Sequence, residues 1–326
     1  MPSFFLAGAE QQLKSHPLLK LSQVIDWEEM RPLLKGIHKR DTSHGGGRTP
    51  YDPLSMFKAI LLGQWHRLSD PELEQALMVR LDFLVFCGFE LGQPLPDETT
   101  LCRFRNRLIE LERLPELLTL MNTQLEKHGI KVKETRGAII DATIIQSASR
   151  PDRYIDSETE PPRVVDSVDR DARWVKKGKQ AYFGYRAYVA VDSHEGYIDV
   201  VHTRPANEAE VSQFPHLVEC LPPGVSGVLA DKGFASAANR ETLAQKGLAD
   251  FIMHKASRGK PLAPWWSALN KMIGRVRYKV ERAFGTLKRQ FGMARARYMG
   301  FAQVHAQMVM AAINFNLLKA ANRLVC

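Results

Sequence analysis

The 326 residues, 44% of them hydrophobic and with a net charge of +9, suit one large domain or two ordinary ones built on a real core. No apolar run reaches the length of a membrane span, since "MVMAAINFNLL" is interrupted by Asn314 and Asn316, and "MPSFFLAGAEQQ" lacks the basic lead and apolar stretch of a signal peptide. Four scattered cysteines (Cys87, Cys102, Cys220, Cys326) and ten histidines without HxxxH spacing speak against a zinc site and fit a reducing cytoplasm.

Residues 1–130 read as helical. "DPLSMFKAILLGQWHRL" opens with Asp52 as N-cap and Pro53 at the first helical position, and "SDPELEQALMVR" repeats the pattern with Asp70 and Pro71. "DETTLCRFRNRL" has Asp97 as cap, with Leu101, Phe104 and Leu108 on one face and Arg103 and Arg107 on the opposite one. "LPELLTLMNTQLEKHG" closes the block at Gly129, and the glycine run in "HKRDTSHGGGRTPYD" marks a mobile loop. From Arg136 the pattern turns β-branched. "GAIIDATIIQ" is a strand; "YRAYVAVD" and "YIDVVHT" flank the hairpin turn "SHEG". Then follow a helix in "EVSQFPHLVECL", a strand in "SGVLAD", a helix in "ASAANRETLAQKG", a strand in "LADFIMHKA" and a long helix. Mixed strands followed by helices imply a sheet covered by helices. Residues 147–180 are polar and poor in large apolar side chains, and are expected to be a loop ordered only by contact with something else.

The charge is unevenly placed. Residues 1–130 and 131–250 each have a net charge of −2, whereas residues 251–326 hold fourteen Lys and Arg against one acid, Glu281. Such a segment suits a polyanion, of which nucleic acid is the commonest; a solvated basic face is the plainer alternative. In the long helix, Ile273, Val276, Val280, Phe284, Leu287 and Phe291 form one apolar stripe. Arg277, Glu281 and Lys288 form a second, about a quarter-turn away.

Two further acids stand at strand ends, Asp141 in "GAIID" and Asp231 in "SGVLAD". Either alone is as readily a turn cap, and Glu281 alone as readily a surface partner for neighbouring cations. Together, carboxylates from two strands and a helix are the oxygen ligands that phosphodiester chemistry requires. Two divalent ions about 4 Å apart can activate the attacking oxygen and stabilise the leaving one. On that reading Glu281 is there for a metal and the bases around it for phosphate.

At these residues the chain resembles insertion-sequence transposases of the IS5 family, within the IS4-like group of DDE transposases. "IIDATII" resembles the first Asp motif and "ADKGFAS" the second. Arg277, Glu281 and Lys288 resemble the Arg, Glu and Lys of the Glu motif. "KKGKQAYFGYRAYVAVDSHEG", "RPANEAEV" and "VERAFGTLKRQFGMARARYMG" also look like the family's, and "DETTLCRFRNRL" resembles its helical DNA-binding region. The motif's Tyr is missing: Gly274 stands in its place, and Tyr278 lies one helical turn later.

The resemblance implies an α/β chain, an RNase H-like mixed sheet covered by helices, preceded by an all-α N-terminal DNA-binding domain. Residues 1–130 would bind the terminal inverted repeats. Residues 131–326 would form the catalytic domain, with the polar excursion 147–180 and basic C-terminal helices. Asp141, Asp231 and Glu281 would hold two Mg²⁺ or Mn²⁺ ions. Water would free a 3′-OH at the element end, and that hydroxyl would attack target DNA without a covalent enzyme intermediate. Arg277 and Lys288 would contact phosphate, as would several of Lys279, Arg282, Arg289, Arg295 and Arg297. Arg103 and Arg107 are candidates for DNA contact or for a surface role, and Trp265 and Trp266 for stacking on an unpaired base or for a core or hinge position. The partners implied are DNA and further copies of the chain, as a dimer or higher oligomer on DNA. No membrane is involved, and the place of action is the bacterial cytoplasm at the nucleoid. Two rivals remain: a DNA-binding protein without chemistry, and an RNase H-like nuclease that cuts but does not join.

Overall fold

The computed structural model describes residues 17–22, 24–37, 49–133, 137–151, 154–156, 160–161, 163–165, 167–256 and 259–324. Most of the glycine loop read at 38–52 lies outside them. The chain divides into two compact units, Met1–Lys131 with Val309–Cys326, and Val132–Met308.

The first unit is helical: α1 (Pro17–Leu21), a 3-10 turn (Trp27–Leu34), α2 (Pro53–His66), α3 (Asp70–Val79), α4 (Leu81–Cys87), α5 (Glu98–Glu110) and α6 (Leu114–Lys127). Asp52 caps α2 by accepting from Ser55 N, and Asp97 caps α5 by accepting from Thr100 N, because the first amides of a helix have no partner within it. α3 differs from the expectation. Its cap is Ser69, in a reciprocal box with Glu72, which frees Asp70 to receive both terminal nitrogens of buried Arg105 at 2.6 and 2.8 Å. That bidentate pair ties α5 to the start of α3. It leaves Arg103 and Asn106 exposed on the outer face of α5, with Arg107 half-buried there.

The second unit is built on a mixed sheet of β1 (Gly137–Gln146), β4 (Arg173–Lys177), β5 (Gln180–Asp192), β6 (Ile198–Pro205), β7 (Gly227–Ala230) and β8 (Ala249–Ile252). β5 pairs antiparallel with β1 and β6, while β7 lies parallel to both β1 and β8, giving the core order β6-β5-β1-β7-β8. Three antiparallel strands followed by two parallel ones, with helices on the faces, is the RNase H-like arrangement. α7 (Glu210–Glu219) and α8 (Ala237–Gln245) cover one face. There Ile140, Tyr188, Val228, Phe214, Leu217 and Phe234 make a buried cluster. α9 (Pro264–Arg289) packs across β1, β5 and β7 through Ile273, Val280, Phe284 and Leu287. Val276, expected in the same stripe, is only half-buried.

The excursion 147–180 holds more structure than its composition promised. β4 pairs with the start of β5, and β2 (Tyr154–Asp156) pairs with β3 (Arg163–Val165). Asp169 orders its base from within the protein. This buried carboxylate accepts from Ser147 Oγ at 2.5 Å, Tyr185 OH at 2.6 Å and Gly300 N at 3.3 Å. The last helix, α10 (Phe301–Leu324), starts in the second unit and ends in the first. Asn314 and Asn316, which interrupt its apolar run, are buried and bonded to Leu61 O and to Asn122 Oδ1. This half of the helix is thus counted with the helices of the first unit.

Candidate active site

The strand register brings the two aspartates together. β1 and β7 run parallel with Gly137 beside Gly227 and Ile140 beside Ala230, and one further step along both strands sets Asp141 beside Asp231. In β1 side chains alternate, so Ile140 enters the cluster under α7 and α8 while Asp141 faces α9. Asp231 ends its strand as the cap of a 3-10 turn (Lys232–Phe234), accepting from Lys232 N at 2.7 Å. Asp141 Oδ1 accepts from Ala142 N at 2.8 Å.

A single guanidinium joins them. Arg277 of α9 is buried. Its Nη2 donates to Asp141 Oδ2 at 2.5 Å, and its Nη1 stands 3.5 Å from Asp231 Oδ1. Burial pushes the Asp141 carboxyl above the usual carboxylate range, and Asp231 adds to the rise, while Arg277 and the Ala142 amide oppose it. Arg277 Nε is buried with no hydrogen-bond partner, an arrangement that costs roughly 1–3 kcal/mol.

Glu281 lies one helical turn beyond Arg277 and is exposed. Among the described residues no three Asp, Glu, His or Cys side chains are gathered as a ready metal cage. Asp141 and Asp231, which already share one cation, are hard-oxygen donors of the kind a divalent cation takes.

The predicted phosphate contacts fall into groups. Lys288 is half-buried, and burial together with Lys177 pushes its pKa down. Arg282 and Arg289 are exposed on α9, and Arg297 is half-buried. Lys279 and Arg295 are bound into the fold. Lys279 Nζ donates to Ser193 O at 2.6 Å, clamping the β5–β6 turn, and Arg295 donates to Ser147 O at 3.1 Å and Ala148 O at 2.8 Å. In the first unit Arg107 pairs with Glu110 at 2.8 Å. It lines, with Arg103, Asn106, Tyr51 and Phe104, an open cavity of about 560 Å³. Trp265 is exposed and stacks on Trp266, with ring centres 3.5 Å apart, so this pair is not a core position. Tyr278 is exposed, with Lys279 Nζ 5.6 Å from its ring.

Sequence reasoning passed over Glu210, the first residue of α7. It sits near both aspartates and pairs with Arg186. Only its place in "RPANEAEV" could have pointed to it.

The transposase DDE domain matches residues 133–317, and a second domain described as "Transposase domain (DUF772)" matches residues 7–107. The chain is 44% identical over 226 residues to "Transposase for insertion sequence element IS1106" from Neisseria meningitidis serogroup B, covering 68% of this chain and 78% of that one. The chain therefore belongs to the DDE transposases of insertion sequences. Such an enzyme cleaves and transfers DNA strands and depends on a divalent metal. Among solved structures it is similar to the piggyBac transposase synaptic complex with hairpin DNA, with a TM-score of 0.47 at 15% identity over 95% of this chain and 75% of that one. It also aligns with the Mos1 mariner paired-end complex, with a TM-score of 0.21 at 13% identity over 98% and 93%. No helix among the described residues is long and apolar enough to cross a membrane.

Proposed function

We propose that Asp141, Asp231 and Glu281 are the acids of the DDE site and hold two Mg²⁺ or Mn²⁺ ions. The reading rests on Arg277, whose guanidinium occupies a cation position between two aspartates 90 residues apart in sequence, one turn from Glu281. When bound, the ions supply activation of the attacking oxygen and charge stabilisation of the leaving one. Arg277 bridges Asp141 and Asp231 and so keeps the two carboxylates together. Lys288, with Arg282 and Arg289, steadies the DNA backbone. The helical first unit reads the terminal inverted repeats with Arg103 and Arg107, and the enzyme works as a dimer or higher oligomer on DNA in the bacterial cytoplasm. Joining of strands, rather than cutting alone, follows from the family.

Glu281→Gln keeps size and helix while removing the charge. Strand cleavage and joining on a labelled terminal repeat with excess Mg²⁺ or Mn²⁺ should both fall by orders of magnitude. DNA binding should persist or tighten, because a negative charge has left a polyanion site. Were Glu281 only a surface partner of nearby cations, the change would cost a few tenths of a kcal/mol. Joining near the wild-type rate would sink the three-carboxylate site.

A further inference from the structure

Glu210 begins α7 without serving as its cap. Its Oε1 accepts from Arg186 Nη1 at 3.3 Å, and Arg186 is only 14% exposed. Its other oxygen lies against the turn that follows Asp231. A Cβ built on Gly233 would stand 1.8 Å from Glu210 Oε2, and the next two atoms it would meet also belong to Glu210. Gly233 has no positive φ, so nothing in its own backbone demands glycine. What excludes a side chain there is the carboxylate. Burial raises the pKa of Glu210, Asp141 and Asp231 push it the same way, and Arg186 and Lys177 oppose them. Glu210 therefore lies within the electrostatic reach of both aspartates, while Arg186 on β5 anchors it from behind.

Resting on the proposed site, we infer that Glu210, held by Arg186, is a positioning residue: its carboxylate fills the space left by Gly233 and fixes the turn that presents Asp231 to the metal. The glycine and the glutamate act as one device. Gly233→Ala has one inexpensive way to relax, which is to push the Glu210 carboxylate off the turn and away from Arg186. Its consequence should thus copy the loss of Glu210 itself.

The test is a double-mutant cycle on the full chain. It is read as the Mn²⁺ concentration that half-saturates the metal-induced rise in melting temperature, and in parallel as the Mn²⁺ dependence of end cleavage. Removing an outer partner of a metal ligand costs about 10–100-fold in affinity or activity. Glu210→Ala and Gly233→Ala should each raise the required Mn²⁺ by about tenfold, with DNA binding retained. The double variant should be no worse than Glu210→Ala, because the added methyl then meets no carboxylate. Should Glu210→Ala fail to fold, Glu210→Asp keeps the charge but draws the carboxylate back from Gly233, and should show the same weakened response. Full additivity of the two losses, or a wild-type Mn²⁺ response in Glu210→Asp, would overturn the inference while leaving the DDE site standing. A wild-type chain that neither responds to Mn²⁺ nor cuts DNA would remove the site and the inference together.

Discussion

His305, in the second turn of α10, shows how a single side chain ties stability to pH. Burial and the neighbouring His202 push its pKa down to about 4 from 6.5, and its Nδ1 lies 3.4 Å from Thr203 Oγ1. Above pH 6.5 the imidazole is neutral in folded and unfolded chains alike, so it leaves the balance untouched. Between pH 6.5 and about 4 the unfolded chain takes up the proton first, and stability falls as pH falls. Across the whole window the loss is on the order of 3 kcal/mol. His305→Gln should flatten the fall in melting temperature over that range. Curves parallel to wild type would place the acid sensitivity elsewhere, with His202, whose pKa is also lowered by burial, as the next group to replace.

Glycine decides a question at the scale of the elements. β5 changes partners at Gly184, which pairs with Gln146 of β1 and with Arg173 of β4. A Cβ there would stand 2.2 Å from Ile145 O and 2.7 Å from Ser147 N, backbone atoms that cannot swing aside, and φ is +156°. Gly184→Ala should therefore part β5 from the end of β1. It should cost on the order of 3 kcal/mol or more in urea unfolding, among the larger single-residue effects. A midpoint within experimental error of wild type would contradict this.

The five core strands and the helices α7 to α9 were legible because each carries its own period and its own stop signals. Asp141 and Asp231 stood out because an acid interrupts an apolar strand. β4 was hidden, because "RWVKK" has an exposed edge and takes its order from the strand it pairs with. The buried place of Arg277 was hidden as well. Helical periodicity set it beside the core, and only the register of β1 with β7 shows two carboxylates waiting for it. Glu210 had no local signal, since Arg186 and Gly233 lie 24 and 23 residues away along the chain.

Over the whole molecule the charge is segregated, with fourteen bases against one acid in residues 251–326. The bases do not all do the same work, and the fold separates them. Lys279 and Arg295 are tied by backbone carbonyls to other elements of the fold, whereas Arg282 and Arg289 are exposed on α9, Arg289 donating only to Gly285 O of its own helix at 3.2 Å. Each phosphate neutralised releases counterions, so the logarithm of affinity falls with the logarithm of salt by about 0.9 per contact on duplex DNA. Arg282→Ala with Arg289→Ala should weaken binding to repeat and random DNA alike. The slope should become shallower by roughly 0.9 for each arginine that meets a phosphate, with little change in melting temperature. Arg295→Ala should behave in the opposite way, lowering the melting temperature by freeing the Ser147 and Ala148 carbonyls that hold the end of β1. Filter binding over a salt series, with melting curves on the same preparations, separates the two kinds of base. If Arg282→Ala and Arg289→Ala left the slope unchanged, the exposed face of α9 would be a solvated surface, and the path of the DNA would have to be sought along other bases of the chain.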